Sequence, residues 1–237
     1  MQEFLDTIIE PLPWICNGAL ISLATVICAM LLGFVLAVPM AIGQVYGRTI
    51  TKRLIDIYVW IFRGIPTLVL LYLFYFGLTY QISSIEFSVF GNDFSFSLDI
   101  SPFAASCIVL GLISAAYQSQ IFRGSIQSLS SGQLKAARAL GMSDFKAICH
   151  IIIPQALRIS IPGWSNEYSI VLKDSALVSV LGTMELMART KAIATTTTEY
   201  TLFYLLAALF YFVITFFGIR ILRFLENNFR IPGYALS

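Results

Sequence analysis

Residues 131–158 read SGQLKAARALGMSDFKAICHIIIPQALR, the longest stretch of the chain that mixes charged and apolar residues at helical spacing. Gly141 interrupts it as a glycine does just past a helix end, and Ser143 fits as the cap of a second short helix. Pro154 should end that helix, because the residue before a proline is pushed out of the α region. The stretch therefore predicts helix, glycine corner, helix and proline stop; the alternative is an ordinary polar loop. The apolar positions with the helical period of three or four are Leu134, Ala137, Leu140, Phe145, Ile148 and Ile152.

The composition is that of a membrane protein. Of the 237 residues, 58% are hydrophobic and 12% are charged, and the mean hydropathy is +0.82. Average soluble domains are about a quarter charged. A net charge of +2, with no basic cluster among aromatic residues, argues against nucleic-acid binding. Four scattered cysteines and a single histidine, His150, do not predict a metal site or a disulfide.

Charge patterning predicts an all-α integral membrane protein with five transmembrane helices. The first ends near Pro39 to Gly43, and the others cover about 56–80, 102–122, 161–187 and 200–219. Lysine and arginine concentrate in three segments, around 48–53, 123–158 and 220–223, and basic loops stay on the cytoplasmic side. This bias places the N-terminus outside and the C-terminus inside, with residues 81–101 and 188–199 as external loops.

Several motifs carry a resemblance to a known family. Lys135-Ala136-Ala137, Gly141 and Ile152-Ile153-Pro154 resemble the EAA…G…I-L-P loop of ABC-transporter permease subunits. Further stretches resemble the polar amino acid uptake permeases, in the chain order FRGIPT (62–67), IFRG (121–124), GQ (132–133), PQALR (154–158) and LKDSAL (172–177). Two positions depart from the family loop, since Lys135 stands in place of the glutamate and Ile153 in place of the leucine.

The resemblance implies a type I ABC importer fold in a single transmembrane permease domain, residues 1–237, with its core at about 17–224. The cytoplasmic coupling loop would cover about 124–160 and dock an ATPase subunit. A second permease subunit, as a homodimer or heterodimer, and an extracytoplasmic solute-binding protein would complete the importer in a prokaryotic inner membrane. The residues expected to couple to the ATPase are Lys135, Ala136, Ala137, Gly141, Met142 and Ser143.

The chain itself is not predicted to be an enzyme. Residues 129–133, LSSGQ, look like the signature loop of ABC ATPases, but that loop works only beside a glycine-rich nucleotide loop. No G-x-x-x-x-G-K-[ST] sequence occurs in the chain. We therefore expect no cofactor here, with ATP and magnesium bound by the partner ATPase.

The fourth predicted span carries acidic residues at bilayer depth, where each charge costs roughly 2.5–3.5 kcal/mol on insertion scales. Glu167 and Asp174 share one helix face, about 10.5 Å apart along the axis at 1.5 Å per residue. At least one acid facing the substrate is one hypothesis, and pairing of Lys173 and Asp174 with other helices is the other. Gly64 and Pro66 break the second span, either around a cavity or as a simple kink.

The resemblance implies that the substrate is an amino acid, and these features predict where it binds. Two acids favour a cationic substrate, arginine, lysine or histidine, over glutamine or another polar amino acid, unless Lys173 or Arg63 neutralises one of them. The alternatives are an ion-coupled secondary transporter, which usually carries inverted repeats that are not visible here, and a non-transporting membrane scaffold. The predicted substrate-binding residues are Gly64, Thr67, Asn166, Glu167, Val171, Asp174 and Ser175.

Overall fold

Long helices dominate the computed structural model, which describes residues 9–78, 85–89, 92–96 and 100–229. The two strands, β1 (Ile85–Val89) and β2 (Asn92–Phe96), pair antiparallel, so the predicted outer loop carries a short ladder within a helical fold. The helices of this part of the chain are α1 (Leu12–Tyr46), α2 (Thr49–Gly64), α3 (Thr67–Tyr72), α4 (Pro102–Ser128), α5 (Gly132–Ala139), α6 (Asp144–Ala147), α7 (Ile153–Asp174), α8 (Leu186–Thr197) and α9 (Tyr200–Phe229).

Within the described ranges, three helices, α1, α4 and α9, are long and apolar enough to cross a membrane. A fourth span arises if α2 and the helical segment Thr67–Gly77 are counted together, although they are bent by 107°. Helix α7 is less apolar because it carries Arg158, Glu167, Lys173 and Asp174. The all-α fold is therefore confirmed, while the count of five spans and their orientation stay predictions.

Helices α1 and α4 form the centre of the helical body. Gly33 of α1 permits their close approach, because a Cβ there would lie 2.6 Å from Nε2 of Gln118 and 3.2 Å from the backbone nitrogen of Ala115. Phe34 packs edge-on against Phe122 of α4, with ring centroids 5.5 Å apart. Helix α1 runs unbroken through Pro39 to Tyr46, so the predicted end near Pro39 to Gly43 is wrong.

The glycine corner that the sequence predicts is confirmed. Gly141 follows α5 with a φ of +80°, and its N–H donates to the carbonyl of Arg138. The Met142 N–H donates to the carbonyl of Ala137, which completes a Schellman motif. The Ser143 hydroxyl caps α6 by accepting from the Lys146 N–H. We name the surface of α5, the corner and α6 the knob.

The predicted stop at Pro154 is wrong. A π-helical segment, Ile148–Ile152, follows α6, and Pro154 lies in the first turn of α7. The π segment before it changes the hydrogen-bond register, so the missing N–H of Pro154 does not end the helix. The knob is therefore joined without interruption to α7, which extends from Ile153 rather than from Ile161.

Beyond Asp174 the chain departs from the predicted fourth span and external loop. A 3-10 helix, Ser175–Leu181, ends at Gly182, whose φ is +90°. Residues 188–199 are mostly helical, because Glu185 caps α8 and Leu186 and Ile193 of that helix pack with Phe203 of α9. Helix α9 also extends about ten residues beyond its predicted end at Ile219.

Candidate functional site

Asp174 lies where two irregular segments meet. It ends α7, and its Oδ2 accepts a hydrogen bond of 3.0 Å from Oγ1 of Thr67, the first residue of α3. Within the described part of the chain, Oδ1 of Asp174 has no hydrogen-bond partner. The half-buried carboxylate is thus fixed at one oxygen and open at the other.

A cavity of about 380 Å³ reaches the helix break at Gly64, three residues before Thr67, and neither Thr67 nor Asp174 lines it. Its lining includes Arg63, Gly64 and Tyr117, and a side chain at Gly64 would meet no other atom within 4 Å. The Arg63 guanidinium lies 4.9 Å from the centroid of the Tyr117 ring. The volume falls within the usual range of small-molecule sites.

Glu167 is 2% exposed and takes part in a network between helices. Its Oε1 accepts from the Ser114 hydroxyl at 2.7 Å, and that hydroxyl accepts from Nε2 of Gln118 at 3.0 Å. The indole of Trp164 donates to the Gln118 carbonyl oxygen at 2.7 Å. The side chain therefore ties α7 to α4, and the nearby charges acting on it are Asp174 and Arg63.

The structure brings together only part of the predicted substrate site. Thr67 and Asp174 are in contact, and Gly64 lies nearby on the cavity. Val171 is buried in the core, and the Ser175 hydroxyl donates to the Leu172 carbonyl at 2.7 Å. Asn166 lines a different cavity, beside Arg223 of α9. Arg63, Ser114 and Gln118 are the neighbours of the acids that the sequence analysis did not assign to the site.

The knob presents four of the six predicted coupling residues to solvent, namely Lys135, Ala136, Gly141 and Ser143. Met142 is half-buried, and Ala137 is buried. Two apolar residues of the helical pattern, which were not among the predicted coupling residues, are also highly exposed. Leu140 is 84% and Phe145 is 76% exposed, and they flank the glycine corner. Their apolar side chains beside Gly141 are the sequence feature from which they could have been predicted as coupling residues.

Two further contacts give the knob its shape. Arg138 and Asp144 form a two-bond ion pair across the corner, at 2.7 Å from Nε to Oδ1 and 2.9 Å from Nη2 to Oδ2. Gln133 of α5 and Gln155 of α7 exchange amide hydrogen bonds of 3.0 and 3.1 Å. The ion pair therefore joins the two helices on either side of the corner, and the glutamine pair joins α5 to α7, the helix that ends at Asp174.

Because Arg138 and Asp144 form an ion pair, we expect the local stability of the corner to depend on pH. Hydrogen bonds from Arg138 lower the pKa of Asp144, so the pair supports the corner above the ordinary aspartate pKa. That support is lost as the pH falls through the lowered pKa. In Asp144→Asn, the amides of residues 141–146 should exchange hydrogen faster at neutral pH, and the difference from wild type should vanish in acid. Lys146→Gln is the matched control, and equal exchange in all three proteins at neutral pH would contradict the prediction.

Glu185 is a buried acid to which the sequence analysis gave no role. Its Oε2 accepts from the Ser22 hydroxyl at 3.0 Å and from the Tyr211 hydroxyl at 2.9 Å. It also accepts from the N–H groups of Met187 and Ala188 at the start of α8. The carboxylate therefore joins α1, α8 and α9 and is a structural group.

Metal binding finds no support in the part of the chain that the structure describes. Across the described ranges, no group of three or more His, Cys, Asp or Glu side chains lies close enough to hold a metal ion.

Comparison with known proteins places these features in a family. Residues 29–231 match the family model described as binding-protein-dependent transport system inner membrane component. The octopine transport system permease protein OccQ of Rhizobium meliloti is 43% identical over 69% of this chain and 68% of its own. Arginine ABC transporter permease protein ArtQ of Haemophilus influenzae is 34% identical over 90% of this chain and 92% of its own. A putative glutamine transport system permease protein GlnP of Rickettsia typhi is 33% identical over 96% and 98%.

A solved structure shares the architecture. The crystal structure of an amino acid ABC transporter with histidines superposes with a TM-score of 0.78 and 30% identity, over 93% of this chain and 96% of that one. The helix order described above is thus that of a type I ABC importer permease.

Proposed function

This chain belongs to the family of binding-protein-dependent transport system inner membrane components, and we propose that it carries a cationic amino acid across the membrane. It is the permease subunit of an amino acid ABC importer, a multi-pass protein of the prokaryotic inner membrane, and it is not itself an enzyme.

The observation that carries the proposal is the Thr67–Asp174 contact beside the helix break. Thr67 holds one carboxylate oxygen of Asp174, and the other oxygen is left for a ligand. The broken backbone at Ile65 and Pro66 adjoins a cavity, as irregular backbone at membrane depth does when it lines a transport path. Asp174, Thr67 and Gly64 therefore form the centre of the proposed site.

The balance of charge around Asp174 supports a positively charged substrate. Glu167 lies on the same face of α7, and the exposed Lys173 is the cation of the chain that acts electrostatically on Asp174. An acid at this depth is stabilised by a cation, and an ammonium or guanidinium group supplies it. Octopine and arginine, which appear in the names of two relatives, both contain a guanidinium group, whereas glutamine does not.

Arg63 is the group that we assign to the carboxylate of the substrate. Its side chain is exposed, lies on the cavity with Gly64, and acts electrostatically on Glu167. A guanidinium binds a carboxylate with two parallel hydrogen bonds. An amino acid with its carboxylate at Arg63 and its distal cation toward Asp174 satisfies both charges. Asn166 lines another cavity, so this version of the site omits it.

The knob is the proposed docking surface for the ATPase, which would hold ATP and magnesium. It is attached through Gln133 and Gln155 to α7, and α7 ends at Asp174 about 28 Å away, at 1.5 Å per residue. A tilt of the knob on ATP binding would therefore be transmitted along α7, past Pro162, to Asp174. A solute-binding protein on the outer side and a second permease subunit complete the proposed importer.

The test is uptake into proteoliposomes that contain the chain, its ATPase and its binding protein. Wild type should take up arginine or lysine only when ATP is supplied. Asp174→Asn should raise the KM for the cationic substrate about tenfold or more, since that change costs one charge pair in a half-buried site. Glu167→Gln should have a smaller effect on KM, because its carboxylate is already bonded to Ser114.

The control is Glu199→Gln, which removes an exposed carboxylate far from the site. Uptake driven by an ion gradient without ATP would indicate a secondary transporter, and no uptake at all would indicate a scaffold. Unchanged affinity and substrate preference in both Asp174→Asn and Glu167→Gln would rule out the cationic assignment.

A further inference from the structure

A second polar cavity, of about 260 Å³, lies between α7 and α9 on the side of α7 away from the Thr67 contact. At ~30 Å³ for each water in the liquid, it has room for about eight or nine water molecules. Its polar lining comes from Ser165, Asn166 and Ser169 of α7 and from Arg223 and Glu226 of α9. The proposed substrate site uses none of these five residues.

Within the part of the chain that the structure describes, one buried polar group of this cavity lacks a partner, whereas the Ser169 hydroxyl donates to the Ser165 carbonyl. Ser165 is 9% exposed, and its hydroxyl oxygen is buried without a hydrogen-bond partner. The described ion pairs, Arg123–Asp56 and Arg138–Asp144, include neither Arg223 nor Glu226. Buried polar groups in proteins are nearly always satisfied, so the unmet hydroxyl of Ser165 points to a ligand, and the exposed Arg223 and half-buried Glu226 are free to bind its charges.

An apolar groove, formed by side chains of α9 alone, lies beside the cavity and shares Arg223 with it. Arg223 lines both spaces, and the groove is otherwise formed mainly by Phe217, Ile221 and Phe224, all of them exposed. Arg220 borders it one turn away from Arg223. Arginine at the end of an apolar helix lies at the level of the lipid headgroups, with the apolar side chains toward the acyl chains.

We propose that the cavity and the groove together bind one phospholipid with an ethanolamine headgroup. Arg223 binds the phosphate, Glu226 accepts from the ammonium group, and an acyl chain lies along Ile221 and Phe217, which precede Arg223 in α9. Ser165 and Asn166 supply neutral hydrogen bonds to the headgroup.

The pairing of charges selects this lipid. The headgroup carries one phosphate and one ammonium, and the cavity offers one cation and one carboxylate. A phosphoglycerol headgroup would leave Glu226 without a cation, and a choline headgroup has no N–H to donate to it. A free amino acid matches the same charges, but it would leave the apolar groove beside Arg223 uncovered.

The experiment measures the lipids retained by the full-length protein with its partner subunits. The complex is placed in nanodiscs with equal amounts of phosphatidylethanolamine, phosphatidylglycerol and phosphatidylcholine of identical acyl chains, then re-purified in mild detergent. Lipids that remain bound are counted by native mass spectrometry. Phosphatidylethanolamine should exceed its share about two- to fivefold, the effect of one exposed charge pair.

The variants separate this site from general lipid adhesion. Glu226→Gln should remove the preference for ethanolamine over glycerol, and Arg223→Gln should lower retention of all three lipids. Arg48→Gln, which removes another exposed arginine, should change neither. Equal retention of the three lipids by wild type, or an unchanged preference in Glu226→Gln, would overturn the proposal. Crosslinking of a second permease copy to a cysteine placed at Asn166 would also overturn it, since the cavity would then be a subunit interface.

Discussion

The double variant Leu140→Asp, Phe145→Asp is expected to abolish ATP-driven uptake while the protein still inserts into the membrane. Both side chains stand on the knob and flank Gly141, and neither contacts the buried core clusters. Their replacement therefore removes little of what holds the fold together. The loss should appear in the contact with the ATPase.

The size of the effect follows from the area that the two side chains offer to a partner. Full burial of a leucine or a phenylalanine contributes about 1.5–3 kcal/mol. Two such residues in the middle of an interface would account for a factor of about a hundred or more in Kd, since every ~1.4 kcal/mol is tenfold. Two buried aspartates would add the cost of unpaired charges.

The measurement is co-purification of the ATPase with the permease from detergent extracts, together with uptake in proteoliposomes. The matched control, Leu140→Met with Phe145→Leu, keeps the apolar surface and should retain both activities. If the aspartate variant recovers as much ATPase as wild type, the knob is not the docking surface.

The knob shows what local sequence signals can predict. Gly141, Ser143 and the apolar spacing act through contacts between residues three to five apart, and these contacts form whatever the rest of the chain does. Pro154 does not end the helix because the preceding π segment changes the hydrogen-bond register. The formation of that segment by five consecutive residues depends on their tertiary contacts, which the local sequence does not show. The acids at 167 and 174 were likewise found from helical spacing alone.

The partners of those acids depend on residues far away in sequence. Asp174 meets Thr67 across 107 positions, and Glu167 meets Ser114 across 53. Asn166 differs from Glu167 by one position on the helix, and that rotation directs it to the α9 cavity. Periodicity predicts the helix face on which a residue lies but not the helix that packs against that face. For this reason the sequence analysis assigned Asn166, Glu167 and Asp174 to one site.

Glu185 is the extreme case of such a distant contact, and Glu185→Ala is expected to be the most destabilising single change proposed here. The side chain is 0% exposed, and it accepts hydrogen bonds from Ser22, Tyr211, and the backbone of Met187 and Ala188. Each buried donor left without an acceptor costs about 1–3 kcal/mol. Total stabilities are only about 5–15 kcal/mol, so the loss of several acceptors at once approaches the whole.

The expected result is a fall in Tm of about 10 °C or more, or a loss of monodisperse protein, measured by size-exclusion chromatography after heating. A domain of this length loses about 2–4 °C for each kcal/mol. Glu185→Gln should fall between alanine and wild type. Its oxygen can replace Oε2, where three donors converge, but its NH₂ group opposes the Ala188 N–H.

The role of Glu185 is distinguished from substrate binding by the KM of the surviving Glu185→Gln protein. A structural acid lowers the amount of folded protein and leaves the KM of what remains unchanged, because Glu185 binds α1, α8 and α9 rather than the cavity at Gly64. Glu199→Gln, an exposed acid at the start of α9, should leave both quantities unchanged. A shifted KM with wild-type Tm in Glu185→Gln would instead place this carboxylate on the transport path.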